Sequence, residues 1–76
     1  MKILIVGNGG REHTLGWKLA QSEKVEKIFF APGNAGTASI GKNIQLNADD
    51  IEGLLDFAKK DISVEVAFNH GEAIAW

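Results

Sequence analysis

Two glycine-rich segments hold the residues best suited to chemistry: Gly7-Asn8-Gly9-Gly10 with Arg11, Glu12 and His13 behind it, and Ala31-Pro32-Gly33-Asn34-Ala35-Gly36. The first follows an apolar run over residues 3–6 and precedes a stretch with helical spacing. A glycine loop that feeds a helix start leaves backbone N–H groups unpaired beside the positive end of the helix dipole. Together these favour an anion, phosphate above all. Arg11, one residue past the loop, could add a bidentate contact to a phosphate or carboxylate. The competing reading is a tight turn followed by a solvated arginine.

Glu12 and Asn34 place a carboxylate and an amide near that loop, groups that orient amines and sugar hydroxyls; a glutamate in a first helical turn can equally just complement the dipole. His13 is expected to be buried or bonded to its loop rather than to move protons. A dinucleotide is not expected. Counted from Gly7, the G-x-G-x-x-G fingerprint needs glycine where Glu12 stands, and the second apolar run ends in Phe29-Phe30-Ala31-Pro32 with no ribose-binding acid. His70 and Glu72 follow the last long apolar run, but one histidine and one acid do not make a metal site.

Positioning these residues requires strands and helices in a particular order. Residues 2–6 have no polar alternation after the lysine, the mark of a parallel strand buried on both faces. A helix is expected over residues 11–22, with Leu15, Leu19 and Ala20 as its apolar stripe and Trp17 turned away, toward something other than this sheet. Ile28-Phe29-Phe30 reads as a second strand, followed by a loop through Gly36. Residues 44–46 read as a short strand. Asn47 would then cap a helix over residues 48–60, with Asp49, Asp50 and Glu52 in its first turn, Lys59 and Lys60 at its end, and Ile51, Leu54, Leu55 and Ala58 on one face. Residues 62–68 read as a third strand, a candidate for the sheet edge, broken at Asn69-His70-Gly71. This is the βαβ grammar of an α/β fold, a parallel sheet flanked by helices. Ligands bind such sheets at the carboxyl ends of the strands, the rim to which both glycine segments belong.

At 76 residues the chain is one small domain, and folds of this size bury only about 60% of their unfolded surface. It has no cysteine, hence no disulfide or thiolate metal site. With 45% hydrophobic and 24% charged residues it is composed like an ordinary folded protein. A net charge of −2 with dispersed lysines argues against nucleic acid, and the apolar run behind Met1-Lys2 is too short for a signal peptide or membrane span. A cytoplasmic protein is expected. Unpaired sheet edges would favour self-association.

The stretch Gly7-Asn8-Gly9-Gly10-Arg11-Glu12-His13 with Trp17-Lys18 and Gln21-Ser22, then Ala31-Pro32-Gly33-Asn34-Ala35-Gly36-Thr37, closely resembles the start of the phosphoribosylamine-glycine ligases, also called glycinamide ribonucleotide synthetases. Leu54-Leu55-Asp56-Phe57-Ala58 is similar as well, so the likeness covers about residues 1–62. It departs in residues 63–76, where the family's Gly-Pro-Glu turn is replaced by Asn69-His70-Gly71-Glu72.

The resemblance implies a partial Rossmann-like domain standing before an ATP-grasp unit. The family's ligase activates the glycine carboxylate as an acyl phosphate, which the amine of 5-phosphoribosylamine attacks. It implies a phosphoribosyl substrate held near Asn8, Gly9, Gly10, Arg11 and Glu12, with Gly33 and Asn34 from the second loop. ATP and magnesium would belong to later domains, with no cofactor in this chain, which is expected to be inactive by itself. Two rival readings stand beside it: a stand-alone phosphosugar- or nucleotide-binding module, and a folded fragment or chimera without activity.

Overall fold

The computed structural model describes residues 1–61, 64, 66–69 and 72–74. Strand β1 (Lys2–Gly7) leads into helix α1 (Gly10–Leu19), strand β2 (Lys27–Pro32) and, after a single 3₁₀ turn (Thr37–Ser39), the short strand β3 (Lys42–Asn43). Helix α2 (Ile51–Asp56) widens into a π-helical turn (Phe57–Asp61), and strands β4 (Val66–Asn69) and β5 (Glu72–Ile74) follow. The sheet order is β3-β2-β1-β4-β5, with the first four strands parallel and β5 antiparallel on β4. The fold is α/β, as the strand and helix order implies.

Side chains alternate across a strand, so the same runs supply two cores. Ile3, Ile5, Ile28 and Phe30 face α1 and pack with Leu15 and Leu19. Leu4, Val6, Phe29, Ala31 and Ala67 face the other way and pack with Leu54 and Ala58. Helices on both faces explain why β1 carries no polar alternation. α1 lies close on its face because Gly16 has no side chain: a Cβ there would collide with the Phe30 ring. On the other face Phe29 and Phe57 meet edge to face, centroids 5.3 Å apart.

Several expected boundaries move, each for a local reason. α1 ends at Leu19 rather than residue 22, because Gln21 and Ser22 bond back to Lys18 and Leu19 in tighter turns. The third parallel strand is Lys42–Asn43 rather than residues 44–46: the Leu46 N–H turns back to Ile44 O, a bend no strand can pass. Asp50, not Asn47, caps α2, its carboxylate accepting from the Gly53 N–H at 3.0 Å, so the helix begins three residues later than expected. Of the apolar face assigned to α2, Leu54 and Ala58 are buried, whereas Ile51 and Leu55 are exposed. The late start leaves Ile51 at the first turn, off the sheet. Likewise only Leu15 and Leu19 of the expected α1 stripe pack inward, Ala20 being exposed, and Trp17 stays 59% exposed.

The last strand expected from the sequence is interior, paired with both β1 and β5, not an edge. Of its expected span, residues 62, 63 and 65 lie outside the described residues, as do His70 and Gly71. Among the described residues no helix is long and apolar enough to cross a membrane.

Candidate functional site

β1 and β2 pair in register from Lys2 opposite Lys27 to Gly7 opposite Pro32, so both glycine loops leave the sheet side by side at its carboxyl rim. At Gly7 the backbone turns out of the strand with φ 135°, and at Gly33 with φ 75°, conformations that side chains resist. The Gly33 N–H donates to Gly7 O at 3.1 Å, and Asn34 Nδ2 donates to Asn8 O at 2.6 Å, joining the loops twice.

α1 starts inside this rim. Gly9 is its N-cap, with extended backbone (φ −97°, ψ −177°) and no side-chain cap. The first-turn N–H groups, which a helix cannot satisfy internally, are therefore left for solvent or a ligand. The approach is open: a Cβ built on Gly10 would have no neighbour within 4 Å, and one on Gly9 would meet only Glu12 Oε1, at 3.9 Å.

Glu12 is 7% exposed, with its carboxylate folded back against Gly7, where an added Cβ would strike it. Its carboxylate oxygens are not sealed from solvent, because among the described residues no buried side-chain oxygen or nitrogen is left without a partner. A carboxylate held there can accept from a ligand amine or hydroxyl that comes to the loop. The His13 ring does not bond to its own loop; it packs on the second one, where a Cβ at Gly36 would stand 3.1 Å from Cε1. Arg11 is exposed and lines, with Thr14, Leu15 and Lys18, an open depression along the outer side of α1.

Asn34 is occupied internally. Its Oδ1 accepts from the Thr37 N–H at 3.0 Å, its N–H donates to Thr37 Oγ1 at 2.7 Å, and its carbonyl accepts from Asn43 Nδ2 at 2.8 Å. Thr37 is fully buried, and its hydroxyl lies 2.7 Å from Asn43 Oδ1. Thr37 and Asn43 were not among the residues singled out from the sequence. The Asn34-x-x-Thr37 spacing is that of a side-chain-capped turn and could have signalled the first of them; nothing local marks Asn43.

A cavity of about 400 Å³ opens at the opposite rim, between Lys27, Lys42 and the end of α1 at Ala20. It lies where strands begin, away from both loops, and parallel sheets do not usually bind ligands there. Among the described residues no three of His, Cys, Asp and Glu stand together as a metal site would need.

Comparison with known proteins adds the following. The family model described as "Phosphoribosylglycinamide synthetase, N domain" matches residues 1–73, beyond the residue 62 at which the motif likeness stops. A phosphoribosylamine–glycine ligase of Allochromatium vinosum is 60% identical over 63 residues, covering 80% of this chain and 15% of its own length. Its counterpart in Escherichia coli is 56% identical over 63 residues, again 80% and 15%. The crystal structure of phosphoribosylamine–glycine ligase from Thermotoga maritima superposes with a TM-score of 0.69 at 34% identity, covering 93% of this chain and 16% of that one. This chain thus spans about one-seventh of the relatives it matches.

Proposed function

The chain belongs to the family of phosphoribosylglycinamide synthetase N domains, and from this we propose that it is the substrate-holding N-terminal part of an ATP-dependent ligase joining glycine to 5-phosphoribosylamine in purine biosynthesis. The observation that carries the proposal is the uncapped, open helix start at Gly9 and Gly10 next to the Glu12 carboxylate, which folds back against Gly7. The first suits the phosphate of a phosphoribosyl group, the second its amine or a sugar hydroxyl. Asn8 and Gly33 shape the loops around this position. Arg11 contributes charge from the outer edge rather than a preset contact. ATP and magnesium fall, in this reading, to parts of the ligase outside these 76 residues.

Titration with inorganic phosphate and with ribose 5-phosphate, followed by amide NMR, tests the site. A helix start with one arginine beside it contributes about 1–3 kcal/mol, so weak affinity, on the order of 10–100 mM, is expected, with saturable shifts centred on residues 7–12. Shifts centred elsewhere, or none, would refute it.

A second expectation concerns turnover. Given ATP, magnesium, glycine and phosphoribosylamine, the purified 76-residue chain should form no glycinamide ribonucleotide above background, because it matches only about 15% of the relatives' length. Product formation by a sample free of other ligase would sink that expectation.

A further inference from the structure

We propose that Asn34 is a positioning residue: its side chain clamps the second loop to the first and thereby sets the direction in which the helix-start N–H groups point. The orientation of its amide is determined by its partners. Because the Thr37 N–H needs an acceptor, Oδ1 faces Thr37 and Nδ2 faces Asn8 O, at 3.0 and 2.6 Å. The peptide after Asn8 is planar, and in the trans form its C=O and the Gly9 N–H point in opposite directions. Holding Asn8 O toward Asn34 therefore turns the Gly9 N–H away from the second loop. An amide 26 residues along the chain thus governs the first donor of the candidate anion site.

The clamp is itself held firm. Asn34 O accepts from Asn43 Nδ2, and Thr37, fully buried, meets Asn34 through both its N–H and its hydroxyl. β3 ends at Asn43, so the sheet itself anchors the network. With one Nδ2 hydrogen given to Asn8 and Oδ1 given to Thr37, the amide is largely committed to this task rather than to a ligand.

Two substitutions separate this role from simple support of the second loop. Asn34→Asp keeps an acceptor for the Thr37 N–H but sets an oxygen against Asn8 O, breaking only the Asn34–Asn8 link and leaving the Gly33 N–H bond to Gly7 O in place. Asn34→Ala removes the link without adding charge. In ligand-free protein, ¹⁵N relaxation should show the order parameters of Gly9 and Gly10 falling from about 0.85 to below about 0.6 in both variants, with β1 and β2 unchanged. Inorganic phosphate should bind about tenfold more weakly to Asn34→Ala, the factor that one lost hydrogen bond of ordinary strength corresponds to.

Changes confined to residues 33–43, with Gly9 and Gly10 as rigid as before, would overturn the clamp and leave Asn34 a local turn residue. The phosphate arm rests on the proposed function. If the unsubstituted chain binds no phosphate, that function fails, while the relaxation arm still decides the clamp. Asn34→Asp retains the turn with Thr37, so it keeps the measurement possible even where Asn34→Ala loosens the loop.

Discussion

Replacing Phe30 with alanine is expected to remove roughly half of the folding stability of this chain. Phe30 is fully buried at the centre of the sheet face that carries α1, and its ring fills the space left by the missing side chain of Gly16. Truncating a buried phenylalanine typically costs about 3–5 kcal/mol, from lost transfer energy and from the cavity left behind. A domain of this length has a total of about 4–11 kcal/mol. There is no cysteine with which a disulfide could offset the loss. Urea unfolding followed by circular dichroism should show the midpoint falling sharply, or the cooperative transition disappearing. A loss below about 1 kcal/mol would mean that α1 does not depend on this contact. Because the loss also frees α1, it should weaken any phosphate binding at the start of that helix.

Gly9→Val should do the reverse, removing ligand binding while the fold persists. The backbone at Gly9 is extended, a conformation valine adopts readily, and the added Cβ would meet nothing nearer than Glu12 Oε1 at 3.9 Å. Valine is a poorer N-cap than glycine, so a loss on the order of 1 kcal/mol is expected in unfolding measurements. The branched side chain would, however, project into the open approach to the first-turn N–H groups. Phosphate-induced shifts over residues 7–12 should then vanish, an affinity loss of more than about tenfold. Undiminished phosphate shifts in a folded Gly9→Val protein would show that the anion does not approach at this point. Gly7 would be a poor choice for the same experiment. Its positive φ and the adjacent Glu12 carboxylate make any side chain there a folding defect first.

The parallel α/β order, the strand, loop and helix from Lys2 to Leu19, the second strand ending in a glycine loop, and the family were legible in the amino-acid sequence. They rest on signals that act over a few residues: continuous β-branched runs, glycines at forced turns, and two motifs of unusual length. Such signals survive in any surroundings, because the hard-sphere limits on φ and ψ and the need to bury an apolar run do not depend on distant partners. Boundaries were less legible. Asn47 and Asp50 are both good helix caps, and only the contact between Asp50 and Gly53 decides between them. Ile51 and Leu55 follow the helical spacing of a buried face, yet in the folded chain only Leu54 and Ala58 of that set are buried.

What tertiary structure alone decided is where the strands stand in the sheet and what the polar side chains are for. β4 became interior through its pairing with residues more than sixty positions away, and β5 gained an antiparallel place beside it, which no local pattern records. Asn34 could be read from the sequence as a ligand group because its amide has donors and an acceptor. In the folded chain Asn8 and Thr37 take up much of that capacity, and Asn8 meets it only because β1 and β2 lie side by side. A hydrogen bond is satisfied by whichever partner the fold brings within about 3 Å, so composition states what a side chain can do, and packing states what it is left free to do.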